Sequence, residues 1–230
     1  LFVYIIMRGW SYLLIPVVYS LNIPNNLFNS KFLSKPNIKT EEQTTKPAKT
    51  TSTEAGLSED LSIYFYGKVT DETCLQLTQT LKMMDIAAKH QKVMYPQLEP
   101  VIDLHIQSGG GSLMPTLYVC DVIKNSDTPI HTYVDGYCAS AASLISVCGK
   151  KRYMTKHSAL LIHQLSAMAA GKFNELKTEV NNLNSFMNSI RDIYLKNTKI
   201  DKDSLESLLK TDVWLDSDIC LQYGLIDEII

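Results

Sequence analysis

The sequence lacks an excess of positive charge and lacks any cysteine pattern that would bind a metal or build a disulfide framework. Its 230 residues carry 22 Lys and Arg against 24 Asp and Glu, a formal net charge of −2. Nucleic-acid-binding domains normally carry a clear basic excess, so we predict no nucleic-acid partner. The five cysteines are odd in number and scattered, and no two have metal-ligand spacing. A reducing compartment such as the cytoplasm fits this cysteine usage best.

Long apolar runs are scarce as well. Residues 1–23 are strongly apolar but are interrupted by Arg8, and a run read from Met7 is shorter than the ~20 residues of a membrane span. Such a run is more typical of a targeting segment, with a non-native leader as the alternative, and membrane association is not expected. Residues 29–57 have few large apolar side chains and cannot offset their ordering entropy.

These compositions divide the chain into two parts. We predict an apolar leader with a disordered linker over residues 1–57 and a folded domain over residues 58–230. If the leader is a targeting segment, an organelle matrix or stroma replaces the cytoplasm as the expected location.

Strand-like and helix-like segments alternate along the folded domain. This alternation predicts an α/β fold with parallel strands. The predicted strands are 61–67, 100–108, 129–136, 158–164 and 225–230. The small, mostly uncharged stretch DGYCASAASLISVCG (135–149) is predicted as a buried helix.

A long helix is predicted from Gly171 to Asn197, and its apolar residues are spaced alternately three and four positions apart. They are Phe173, Leu176, Val180, Leu183, Met187, Ile190 and Tyr194. This spacing is typical of a coiled-coil seam. The seam either packs on its own domain or joins subunits, with Leu183 and Met187 near its centre.

A glycine-rich turn and three reactive residue types suggest acyl-transfer chemistry. The segment QSGGGS (107–112) links a strand to a helix and is neither a dinucleotide nor a P-loop fingerprint. Ser140, His163 and Asp212 could supply a nucleophile, a base and a residue that orients the base. Residue types alone leave this open, since most chains of this length contain all three.

The segments around these residues together resemble the ClpP family, the proteolytic subunit of ATP-dependent Clp-type serine proteases. GYCAS (136–140) resembles the nucleophile segment, with a glycine nine positions after Ser140. LIHQ (161–164) resembles the segment of the base. Asp212 lies two positions before a tryptophan and twelve before the glycine of YGLID. The sequence departs from the family pattern at Gly109 and Leu165, where the family has proline.

The resemblance implies a ClpP/crotonase-like spiral of repeated β-β-α units with a protruding long helix. It implies Ser140 as nucleophile, His163 as base and Asp212 as its orienting partner, with an oxyanion hole formed by the backbone N–H groups of Gly111 and Ala141. Ser143 and Ser146 are then packing serines.

The activity implied by the resemblance is that of a serine endopeptidase that degrades unfolded polypeptides to short peptides. The expected assembly is a homo-oligomer of stacked heptameric rings that works with an AAA+ unfoldase. ATP would bind to that partner, so no cofactor or metal is expected in this chain.

Four alternatives stay open at this stage. One is a membrane-associated signal-peptide-peptidase-like protease with a Ser–Lys pair, using Lys150 or Lys151. Another is a phage or virus maturation protease with a ClpP-like core. The others are a non-catalytic subunit of a ClpP-like ring and a CoA-binding hydratase or isomerase of the crotonase type.

Overall fold

A computed structural model describes residues 61–230, and the leader and linker predicted over 1–57 lie outside this range. The described strands are Ser62–Tyr66 (β1), Ile102–Ser108 (β2), Ile130–Ala139 (β3), Lys151–Met154 (β4), Ala159–Leu161 (β5), Trp214–Leu215 (β6) and Glu228–Ile229 (β7). The described helices are Asp71–Met94 (α1), Leu113–Lys124 (α2), Ala141–Val147 (α3), Phe173–Asn197 (α4), Lys202–Leu209 (α5) and Ser217–Gln222 (α6). Within residues 61–230, the helices lack the combination of length and hydropathy that a membrane span needs.

These strands form a single sheet that is parallel except at its β5–β6 pair. The hydrogen-bonded order is β1-β2-β3-β4-β7, and β5 pairs with β3 on one side and β6 on the other. Because β1, β2, β3 and β5 are mutually parallel, their carboxyl ends meet at one edge. In open α/β sheets this edge is where ligands bind. The α/β fold is confirmed.

The alternating pattern of β2 shows how the sheet buries one face. Ile102, Leu104 and Ile106 are fully buried, while the residues between them are only partly covered. All seven residues of α3 are buried, which explains why that segment carries no charge. The core therefore lies between the sheet and its helices and fixes the turns that follow β2 and β3.

The structure corrects the secondary structure predicted for residues 135–149. Residues 135–139 continue β3, and only Ala141–Val147 are helical. β3 changes partner along its length, since its first half pairs with β4 and its last three residues pair with β5. Only a few residues of strand and of helix lie on either side of Ser140, too few for a periodic pattern to place the boundary between them. The strands β4 and β6 were missed because they are too short to show a period.

The apolar seam of α4 is divided between its two ends. Ile190 and Tyr194 are 1% and 2% exposed and pack in the core, whereas Phe173 and Val180 are 79% and 55% exposed. Met187 also packs on its own domain, because its Sδ accepts a hydrogen bond from the backbone N–H of Leu165 at 3.4 Å. The exposed part of the apolar seam is therefore centred nearer the start of α4 than Leu183 and Met187, the predicted centre.

Arg152 of β4 connects this strand to the end of α4 and to the residue before β7. Its guanidinium donates to both carboxylate oxygens of Asp227, at 2.9 and 2.6 Å, and to the backbone carbonyl of Asn197. Arg152 is buried, so its charge depends on this partner. The same guanidinium lowers the pKa of Asp227.

We expect Asp227→Asn to lower the free energy of unfolding at pH 7 by roughly 1–3 kcal/mol, because it leaves a buried cation without its counter-charge. The folded-state pKa of Asp227 lies below its unfolded value, so this stabilisation is present above about pH 4 and is lost as the pH falls further. Urea unfolding at pH 7 and pH 3.5 would measure both effects. Asp218→Asn, which breaks the exposed pair with Lys156, is the control, and an equal loss in both variants would contradict the prediction.

Candidate active site

Ser140 lies at the turn between β3 and α3 in a strained backbone conformation. Its φ is 60° and its ψ is −128°, and among residues 61–230 it is the single non-glycine residue with a positive φ. Such a conformation costs on the order of 1–3 kcal/mol and persists where the surroundings impose it. One restraint is the Ser140 N–H, which donates to the Leu161 carbonyl at 2.9 Å. Strain of this kind marks functional positions.

The glycine turn after β2 packs directly against Ser140. A Cβ on Gly110 would lie 2.6 Å from the Ser140 Cβ and 3.0 Å from the Ala141 nitrogen, and its φ is 87°. Only glycine fits there. Val69 holds the turn from the other side, since its N–H donates to the Gly110 carbonyl and a Cβ on Gly111 would lie 1.9 Å from its oxygen.

The turn and the start of α3 therefore bring backbone N–H groups to the same place as Ser140. The Gly110 N–H is engaged within the turn, where it donates to Ser108 Oγ at 3.1 Å. The assignment of the Gly111 and Ala141 N–H groups as the oxyanion hole stays a prediction, and the close packing of these two segments supports it.

His163 lies two residues beyond the end of β5, at the same edge of the sheet. Its Nδ1 is 3.2 Å from Oδ1 of Asp212. Its Nε2 is buried and has no hydrogen-bond partner. A carboxylate this close to Nδ1 favours the tautomer protonated at Nδ1, which leaves the lone pair of Nε2 free, as a general base requires. This nitrogen can therefore accept a proton from a hydroxyl group within hydrogen-bond reach.

Asp212 reaches His163 through the short strand that the sequence did not reveal. In the β5–β6 pair, Leu161 is opposite Trp214, so the residues just outside the pair, His163 and Asp212, are brought together. Asp212 is 80% exposed in this single chain. Solvent weakens the interaction of so exposed a carboxylate with the imidazole.

Comparison with known proteins identifies this architecture. Residues 45–230 match the family model for Clp protease. The chain belongs to the Clp protease family. Similar relatives are ATP-dependent Clp protease proteolytic subunits 1 from Chlamydia caviae, 27% identical over 73% of this chain and 85% of that protein, and from Protochlamydia amoebophila, 30% identical over 54% and 63%. A solved ClpP1 variant from Listeria monocytogenes has the same fold, with a TM-score of 0.63, 21% identity and coverage of 75% and 92%.

A Ser–Lys pair is ruled out for this Clp protease subunit by the position of its lysines. The Lys150 N–H donates to the carbonyl of Ile130, and Lys151 is opposite His131. Both lysines therefore lie beside the first residues of β3, whereas Ser140 follows its last residue. Ten residues of strand span about 30 Å, well beyond the reach of a lysine side chain. The family match also argues against the hydratase or isomerase alternative.

The other serines of the nucleophile segment lie inside the domain of this Clp protease subunit. Ser143 and Ser146 are both buried. Ser143 Oγ donates to the Ser140 carbonyl at 2.6 Å and lies 2.6 Å from the Tyr194 hydroxyl oxygen. Ser146 Oγ has no hydrogen-bond partner. The spacing of the apolar residues predicts Tyr194 as a seam residue and gives no sign of its polar contact.

The cysteines of this Clp protease subunit do not compete with Ser140 as nucleophile. All five are free thiols and all are buried. Burial raises the pKa of Cys138, which is two residues before Ser140, well above its ordinary value. A buried, protonated thiol is a poor nucleophile.

Proposed function

We propose that this subunit cleaves unfolded polypeptides into short peptides by a Ser140–His163–Asp212 triad, as the proteolytic component of an ATP-dependent Clp-type complex. One observation carries the proposal: a buried histidine, paired with Asp212 at Nδ1 and unpaired at Nε2, lies at the same sheet edge as the strained Ser140. Little sequence preference is expected among these polypeptides.

The residues support a two-step acyl transfer. Ser140 Oγ attacks the scissile carbonyl carbon while His163 Nε2 takes the hydroxyl proton, and Asp212 stabilises the resulting imidazolium. The C–N bond then breaks, and His163 returns the proton to the leaving amine. Water repeats the sequence on the acyl-enzyme, again with His163 as base, and releases the carboxylic acid and free Ser140.

The proposed oxyanion hole would act on the negative charge that forms in both steps. The backbone N–H groups of Gly111 and Ala141 belong to two segments that pack closely against each other. Donors that are fixed before the reaction stabilise the transition state without reorganisation, and losing one typically costs ~100- to 1000-fold in kcat.

The assembly and its partners are proposed from the family and from the exposed surface. The relatives are named as subunits of ATP-dependent proteases, so we infer that an AAA+ unfoldase binds ATP and delivers substrate, and that this chain needs no cofactor. Stacked heptameric rings would cover the exposed half of α4. The cytoplasm or an organelle matrix is the proposed location.

The activity can be tested on the full chain without an unfoldase. A denatured, fluorescently labelled protein should be converted to short peptides, and a folded protein of the same mass should be left intact. Prior treatment with a fluorophosphonate should stop the reaction, whereas a metal chelator should not. Inhibition by the chelator but not by the fluorophosphonate would contradict the proposal. Absence of cleavage at every protein concentration tested would contradict it as well.

We expect the exposed half of α4 to hold subunits together, so Phe173→Lys with Val180→Glu should reduce the assembly to smaller species. Burial of each side chain contributes roughly 1.5–3 kcal/mol, and a symmetric assembly repeats this at every interface. Light scattering coupled to size-exclusion chromatography measures the mass. The matched control is Asn174→Lys with Asn181→Glu, which places the same charges with the same spacing on the polar face. If both double variants keep the wild-type mass, assembly depends on another surface.

A further inference from the structure

A chain of buried hydroxyl groups runs from the long helix α4 to the backbone of the proposed nucleophile. The Tyr194 hydroxyl oxygen lies 2.6 Å from Ser143 Oγ, and Ser143 Oγ lies 2.6 Å from the carbonyl oxygen of Ser140. Tyr194 is 2% exposed and Ser143 is 0% exposed. Solvent therefore cannot replace either hydrogen bond.

The direction of donation along this chain is determined by its last acceptor. A carbonyl oxygen can only accept, so the single hydroxyl proton of Ser143 points to Ser140. Ser143 must then accept from Tyr194, and the order is Tyr194 O–H to Ser143 Oγ, Ser143 O–H to Ser140 C=O. Each hydroxyl is oriented by the next, and such chains strengthen their members cooperatively.

The carbonyl of Ser140 shares a planar peptide unit with the N–H of Ala141. In a trans peptide these two groups point in opposite directions, so fixing one fixes the other. The Ser140 carbonyl also accepts from the Ser143 N–H at 3.0 Å, but that bond is part of the helix itself. The Ser143 hydroxyl is the contact that connects this peptide unit to another element.

The geometry points to Tyr194 as a positioning residue that acts through Ser143 to orient the peptide unit carrying both Ser140 and the proposed oxyanion donor of Ala141. This inference rests on the proposed function, because it assigns Tyr194 to the same hydrolytic site. The Tyr194 hydroxyl is then expected to affect turnover without contacting substrate, although Tyr194 lies 51 positions from Ser143 in the chain.

Tyr194 can serve as donor over the whole working pH range. Burial raises the pKa of its phenol far above the ordinary value. The hydroxyl therefore keeps its proton in neutral and mildly alkaline solution, and the effect of Tyr194 on turnover should not change with pH in that range.

The test compares kcat and KM on a short fluorogenic peptide for wild type, Tyr194→Phe, Ser143→Ala and the double variant. We expect each single variant to lower kcat roughly 10-fold, part of the ~100- to 1000-fold effect of removing an oxyanion donor, because the N–H is misdirected and not lost. KM should change less than twofold, since the oxyanion forms only in the transition state. The double variant should be no slower than the slower single variant, because both break the same chain.

Ser146→Ala is the matched control, because it removes a buried hydroxyl from the same helix that has no partner. Its kcat should equal that of wild type. Melting temperature and assembly mass are measured for every variant. The inference requires kcat to fall in variants whose melting temperature and mass equal those of wild type. Tyr194→Phe retains the ring, so the core stays filled.

Three results would overturn the inference. Variants with a lower melting temperature but the kcat of wild type would show that the hydroxyl chain only stabilises the core. Losses that multiply in the double variant would show that Tyr194 and Ser143 act separately. A wild-type chain that neither hydrolyses peptide nor labels at Ser140 overturns the proposed function and this inference together, whereas an active wild type with unaffected variants overturns this inference alone.

Discussion

Ser140→Ala should abolish peptide hydrolysis and covalent labelling by a fluorophosphonate while the fold stays intact. Without the hydroxyl no acyl-enzyme can form, and loss of a triad nucleophile lowers kcat by roughly 10⁴-fold or more. Alanine keeps the Cβ and therefore the strain at φ 60°. Its melting temperature should match that of wild type.

The strain itself provides a second measurement at the same position. Ser140→Gly should be equally inactive but more stable than Ser140→Ala, by up to about 1 kcal/mol, because glycine adopts a positive φ without a steric penalty. Labelling followed by peptide mapping identifies the nucleophile, with Ser146→Ala as the control that still labels. Label that maps to Ser143, or that persists in Ser140→Ala, would rule out Ser140.

His163→Ala and Asp212→Asn should each reduce kcat by roughly 10⁴-fold. The first removes the atom that accepts the serine proton, and the second removes the charge that orients and stabilises the imidazolium. KM should change little, because neither side chain acts mainly by holding the ground state of the substrate. Both values come from steady-state kinetics on one short peptide.

Two further variants make this result specific. Asp218→Asn removes an exposed carboxylate that pairs with Lys156, and Lys151→Ala removes the base of the Ser–Lys alternative. Both should retain wild-type turnover. Near-normal turnover in Asp212→Asn would mean that another group orients His163, which would be informative because Asp212 is so exposed in the single chain.

Much of the fold and of the site was predictable from local patterns. The alternation of buried and exposed residues in β2 and the apolar spacing of α4 are properties of neighbouring residues, and both elements lie close to their predicted ranges. The segments around Ser140 and His163 are likewise contiguous, so their resemblance to a known family could be recognised directly. The errors fell on β4 and β6, which are too short to show a period, and on the last residues of β3, where a strand and a short helix lie on either side of a single residue.

Local sequence patterns were enough to identify the chemical groups and the family to which they belong. These groups are one strand–helix turn with small residues, one histidine after a buried strand, and one carboxylate near the end of the chain. How these groups meet depends on the packing of strands and helices. Asp212 faces His163 because β6 pairs with β5. Ser140 is strained because Leu161 accepts its N–H on one side while Gly110 packs against it. Tyr194 contacts Ser143, which lies 51 positions away in the chain. These contacts join residues that are distant in sequence, and a periodic pattern reports only on neighbours, so packing alone could bring them together.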